Sequence, residues 1–197
     1  MNATVCYSVN LMVDENTEIA RGLQRRDPDL LDSLIEKYQH RLLRYLLHLT
    51  GRHDLAEDLF QETWVRVLER GRQYDSRHEF AAWLFRIARN LTVDHLRRKK
   101  PTSLDSTFGD EDATPFEIPA PGPSGFETTM QREQNDQITA GMQKIAVEYR
   151  EVLGLRFQEG MSLEEIANVT GAPLSTVKSR LYRGLTALEP WVKGARL

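Results

Sequence analysis

Two stretches of the chain carry side chains that could hold and read a nucleic acid. The first is SLEEIANVTGAPLSTVKSRLYRGLTAL, residues 162–188, where Ser175, Thr176, Lys178, Ser179, Arg180 and Arg183 fall close together. They make one helix face with three positive charges and no acid before Glu189. Such a helix suits the major groove, where hydroxyls reach base edges and Lys or Arg neutralises phosphates. The second is FAAWLFRIARNLTVDHLRRKK, residues 80–100, which presents Arg86, Asn90, His95, Arg97, Arg98 and Lys99 and is expected to turn Arg89 to the same outer side. Its window 86–100 has six basic residues against one acid, Asp94. Basic side chains of this kind hold a phosphate backbone while nearby groups capture exposed bases.

Catalytic signatures are missing from this inventory. The chain has no phosphate-gripping glycine loop, nucleophile elbow or paired-carboxylate site, so neither a catalytic residue nor a cofactor is expected. Five histidines, all within residues 40–95, lack metal-ligand spacing, and His40, His48, His53 and His78 read as surface residues. The single cysteine, Cys6, supports no disulfide framework, and no signal or membrane span is evident. A cytoplasmic location follows as the expectation.

The elements that must position these faces read as helices throughout. Leu31, Leu34, Ile35, Tyr38, Leu42, Tyr45, Leu46 and Leu49 recur at spacings of three and four, and Gly51 closes that helix. A second begins near Asp54 with Leu55, Leu59, Thr63, Val67 and Leu68 as its inner stripe. The third buries Phe80, Trp83, Leu84, Ile87 and Leu91, and Trp64 and Trp83 both read as core. Met130–Gln158 has helical spacing again, followed by two shorter helices. Ser162 and Glu165 form a capping-box pair, while Ala167, Gly171 and Val177 fall where a helix-turn-helix needs a small contact residue, a turn and a buried anchor.

Charge divides the chain in three. Residues 29–100 carry a net +3, 101–127 a net −6 and 128–197 a net +1, so the overall −3 hides two basic blocks. The middle segment, PTSLDSTFGDEDATPFEIPAPGPSGFE, holds five of the eight prolines and reads as a flexible tether. The expected fold is all-α: two small helical domains at 29–100 and 128–192, joined by the acidic linker 101–127. Residues 1–28 are expected as a tail and the start of the first helix.

The carboxy-terminal motif resembles region 4 of bacterial sigma factors, including the upstream stretch EYREVLGLRFQEGMSLEEIA. Many members carry a Leu-Pro pair ahead of it. Here Ile145-Ala146 stands instead, so the sequence does not itself demand a helix break. DLAEDLFQETWVRVLER and the basic run 80–100 resemble region 2. Lacking the region between these two modules, the chain is similar to the compact extracytoplasmic-function group. Two-component regulators share a similar reading helix but need an α/β receiver domain, and a serine recombinase needs a nucleophilic serine among arginines. Neither pattern is present in residues 1–100.

The resemblance implies particular roles. Asp58, Gln61 and Glu62 would grip the clamp coiled coil of the largest polymerase subunit, with a second contact to the flap. Residues 80–100 and the loop YDSRHE, with Arg77 and His78, would recognise and melt the minus-ten element of promoter DNA. Residues Ser175–Arg183 would read the minus-thirty-five element. An anti-sigma partner is implied as well, and membrane insertion is not.

Overall fold

A computed structural model describes residues 15–99, 141, 142 and 144–194, and all regular structure among them is helical. The expected tether 101–127 lies outside the described residues. The helices are α1 (15–25), α2 (Pro28–Thr50), α3 (His53–Arg70), α4 (Phe80–Lys99), α5 (Val147–Leu153), α6 (Leu163–Thr170) and α7 (Leu174–Gly194). A single 3₁₀ turn, Gly71–Gln73, follows α3, and a π turn, Gly154–Gln158, follows α5.

Local signals set most boundaries. Asp27 caps α2 by accepting from the amides of Asp29 and Leu30, and Pro28 occupies the first turn, where its missing N–H costs nothing. Gly51 ends α2 at φ 66°, where a Cβ would be strained, and its N–H bonds the Leu47 carbonyl. The expected stripe of α2 is buried at Leu34, Tyr38, Leu42, Tyr45 and Leu46. On α3, Leu55, Leu59, Thr63 and Val67 are buried as expected, but Leu68 is exposed. One residue beyond Val67 is about 100° around the helix, which carries Leu68 off the inner face.

Two differences from expectation concern backbone breaks. Residues 15–25, within the segment expected as a tail and the start of the first helix, form a separate helix that buries Ile19, Ala20 and Leu23 against the core. Three apolar positions are too few to stand out as a periodic stripe. The second break falls at Ala146, whose φ of −54° and ψ of 140° end the preceding turn without a proline. Arg150 makes the break stable: its guanidinium donates to the Ile145 carbonyl at 3.2 Å and to the His48 carbonyl at 3.3 Å.

The modules 15–99 and 144–194 are docked rather than apart. α5 lies on α2 and α6 on α4, and one buried cluster runs from Leu42, Leu59 and Phe85 to Val152, Ile166 and Val177. Two carboxylates cross this contact. Glu151, 5% exposed, accepts from the Tyr45 hydroxyl at 2.9 Å and from Arg89 Nε at 2.8 Å. Glu159, with its side chain 3% exposed, accepts from Arg41 Nε at 2.6 Å and Arg44 Nη2 at 3.1 Å.

His48, expected at the surface, is half-buried at this contact. Burial, then the charges of Arg150 and Arg44, lower its pKa from 6.5 to about 4. A pKa depressed in the folded state means that the unfolded chain binds the extra proton. The stability contributed by neutral His48 is therefore whole above pH 6.5 and disappears as pH falls toward 4. Its size is at most roughly 3 kcal/mol. Urea unfolding of wild type and His48→Gln across this window should show wild type losing more stability on acidification. Equal slopes would assign the titration to other groups.

Candidate nucleic-acid interface

The carboxy-terminal reader is built from α6, a tight turn and α7. Ser162 Oγ accepts from the Glu165 amide at 3.1 Å and Glu165 Oε2 from the Ser162 amide at 2.7 Å, completing the expected capping box. Gly171 takes φ 65° at the turn, the conformation that favours glycine. Val177 is fully buried beneath it, and Leu181 packs half-buried one turn on. These anchors turn the other side of α7 outward: Ser175, Lys178, Ser179 and Arg183 are exposed, while Thr176 and Arg180 are half-buried. A concavity of about 430 Å³ runs between Ser175, Ser179 and Arg183 of α7 and Glu148 and Tyr149 of α5.

α4 presents Arg86, Asn90, Arg97 and Arg98 to solvent, as expected. His95 is half-buried, and its Nε2 has no hydrogen-bond partner among the described residues. The Lys99 side chain lies outside the described residues. Arg89 departs from its expected outward position and turns to Glu151. Beside it, Thr92 and Val93 share a cleft of about 100 Å³ with Arg180 of α7, so the two basic helices meet at one end.

The loop Tyr74–Glu79 leads into α4 over an aromatic cluster. Phe80 contacts Tyr38, Tyr74 and Trp83 at centroid distances of 5.4, 5.5 and 5.8 Å, and Trp64 is buried, so both tryptophans belong to the core as expected. Arg77 and His78 are both exposed on this loop. Arg77 donates to both Asp75 oxygens, with Nη2 at 2.6 Å, and these bonds hold the Asp75 carboxyl at about 2. Asn16 of α1 also reaches the loop, a contact with no counterpart in the local sequence pattern.

On α3, Asp58, Gln61 and Glu62 are exposed together, and Glu62 pairs with Arg66 at 3.4 Å. Val65, 51% exposed, and Leu68 continue the same ridge. Sequence pattern alone missed both as surface residues. The usable signal is the spacing 58, 61, 65, 68, which follows one helix face away from Leu55 and Leu59.

Family comparison agrees with this layout. The Sigma-70 region 2 model matches residues 34–102, and the Sigma-70 region 4 model matches residues 135–188. The ECF RNA polymerase sigma factor SigW of Bacillus subtilis is 31% identical over 172 residues, spanning 86% of this chain and 92% of that protein. The chain belongs to the ECF subfamily of RNA polymerase sigma factors.

This sigma factor is likewise 29% identical to the RNA polymerase sigma-H factor of Pseudomonas aeruginosa, over 91% of this chain and 94% of the relative. Its fold matches the sigma factor RpoE solved with the anti-sigma factor NepR from Bartonella quintana. That match has a TM-score of 0.61 and 21% identity, covering 82% of this chain and 96% of the other. CnrH, solved with the cytosolic domain of CnrY, gives 0.58 and 21%, covering 91% and 95%. The sigma factor acts in transcription initiation, and sigma factors are initiation factors rather than catalysts. Its region 2 match takes in α3, α4 and most of α2, and leaves α1 outside.

Proposed function

We propose that this sigma factor docks on core RNA polymerase through α3 and applies α4 and α7 to the two promoter elements. Asp58, Gln61 and Glu62 grip the clamp coiled coil by charge-assisted bonds, with Val65 and Leu68 adding apolar contact. The carboxy-terminal module reaches the flap, and Ser175, Thr176, Lys178, Ser179, Arg180 and Arg183 read the minus-thirty-five element. Arg86, Asn90, His95, Arg97, Arg98 and Lys99 hold the minus-ten strand, and Arg77 and His78 take a flipped base. Unstacking that base costs a few kcal/mol, which contacts to it must offset.

Residues 29–100 and 128–192 form the two functional domains, and 101–127 tethers them. The protein works in the cytoplasm on stress or envelope genes, held by an anti-sigma partner. The solved relatives in anti-sigma complexes support that class of partner.

One observation carries the reading: an exposed acidic ridge on α3 stands in the same module as the exposed basic face of α4. A stand-alone DNA-binding regulator has no need of the ridge. Run-off transcription with core polymerase tests it, the expected result being promoter-specific transcripts only when the protein is added. Asp58→Lys should lower core affinity roughly tenfold or more and leave the urea unfolding curve unchanged. DNA cleavage without polymerase, or an unaltered core affinity for Asp58→Lys, would overturn the assignment.

A further inference from the structure

Asn16 lies in α1, ahead of the residues matched by the region 2 model, and is 7% exposed. Its amide meets both ends of the Tyr74–Glu79 loop from 58 to 64 residues away. The Tyr74 hydroxyl is 3.0 Å from Asn16 Oδ1 and 2.7 Å from the His78 carbonyl, so its one proton is shared between them. Burial and the Glu79 charge raise the Tyr74 pKa and keep that proton in place. The Phe80 N–H donates to Asn16 Oδ1 at 3.4 Å, and Asn16 Nδ2 donates to Glu79 Oε1 at 3.2 Å.

The pattern admits one amide orientation. Turning it over would set Nδ2 against the Phe80 N–H and Oδ1 against the Glu79 carboxylate. It also supplies what the loop lacks. Phe80 opens α4, and the residue before it is Glu79 rather than a short polar side chain able to cap the helix locally. A side chain from another helix instead takes the N–H of Phe80 itself, one of the donors that the start of a helix leaves without an intrahelical partner.

We infer that Asn16 is a positioning residue for base capture, holding the Tyr74–Glu79 loop and the first turn of α4 so that Arg77 and His78 face the displaced strand. This rests on the loop's proposed role in minus-ten recognition. Asn16 itself touches no base. Its contribution is to the shape of the loop: without it, the Phe80 amide and Tyr74 hydroxyl lose a buried acceptor, and Glu79 loses its donor.

The test uses holoenzyme and fork DNA with a single-stranded minus-ten segment, in a series that makes each base of that segment abasic in turn. Wild type should lose roughly tenfold affinity at one position. Asn16→Ala should weaken binding to the intact fork and show little additional loss at that position, the two losses overlapping. Asn16→Asp, which faces a carboxylate to Glu79, should behave the same way. Asn16→Asp combined with Glu79→Gln exchanges donor and acceptor across the same contact and should regain the wild-type base dependence to within about twofold. If Asn16→Ala does not fold, the comparison of Asn16→Asp with the double variant decides alone.

A uniform loss on every fork, with base dependence intact, would make Asn16 merely structural and overturn the inference. A double variant no better than Asn16→Asp would overturn it too. Absence of any position-specific loss in wild type would instead overturn the loop's role, and the inference with it.

Discussion

Replacing Glu151 by alanine is expected to separate the two modules. Its carboxylate is the buried counter-charge to Arg89 and the acceptor for Tyr45, whose hydroxyl pKa burial and Glu151 raise well above the ordinary value. Without it, the largely covered guanidinium of Arg89 and the buried phenol of Tyr45 lose the acceptor they share. Removing one partner of a buried pair costs about 3–5 kcal/mol. The chain has a way to escape that cost without unfolding: undocking returns Arg89 and Tyr45 to water. The loss therefore falls on the docking equilibrium rather than on either module's own core.

A donor–acceptor dye pair on the exposed positions Asp32 of α2 and Asn168 of α6, with Cys6 changed to serine, reads this directly. Transfer efficiency should drop for Glu151→Ala, and an unchanged value would mean that the Glu159 pairs and the apolar contact hold the modules alone. The consequence for promoter reading is geometric. Elements about 25 base pairs apart lie on the order of 80 Å from each other along B-form DNA. In the docked form Arg180 of α7 shares a cleft with Thr92 and Val93 of α4, so with α4 and α7 on the two elements as proposed, one molecule serves both only after opening. The variant should accordingly bind an upstream-element duplex more tightly than wild type does in the absence of polymerase.

Much of this fold was legible because its determinants are local. Asp27-Pro28 and Gly51 bracket α2 within its own sequence, and Ser162, Glu165 and Gly171 do the same for α6. The outward residues of α7 follow from burying Val177. What could not be read depends on partners distant in the chain. Arg89 is one more cation in a basic run until Glu151, 62 residues later, turns it inward. Glu151 and Glu159 look like ordinary surface acids, and His48 like a surface histidine, because nothing near them shows that a second module covers them. Leu68 has the residue type of the buried stripe, whereas its phase on the helix belongs with exposed Val65. Asn16 is the extreme case: a single amide in a short helix whose partners all sit beyond residue 73.

Phe80→Ala should be the most damaging change within the amino-terminal module. The ring is 1% exposed and lies against Tyr38, Tyr74 and Trp83, three side chains from two helices and the loop. Its removal forfeits the transfer free energy of an aromatic side chain and leaves a void between rings too stiff to close it. The expected cost is about 3–5 kcal/mol, against less than about 2 kcal/mol for Phe80→Leu, which keeps most of the volume. Urea unfolding followed by tryptophan fluorescence, with Trp64 and Trp83 in this module, measures both. A loss below about 1.5 kcal/mol for alanine would mean that the cluster collapses into the gap. The same variant separates packing from positioning, since alanine keeps the backbone N–H that Asn16 accepts. Below its melting range, Phe80→Ala should still lose affinity at the same abasic position as wild type, whereas Asn16→Ala should not. The ring then accounts for the stability of the platform under the loop, and the amide for the loop's shape upon it.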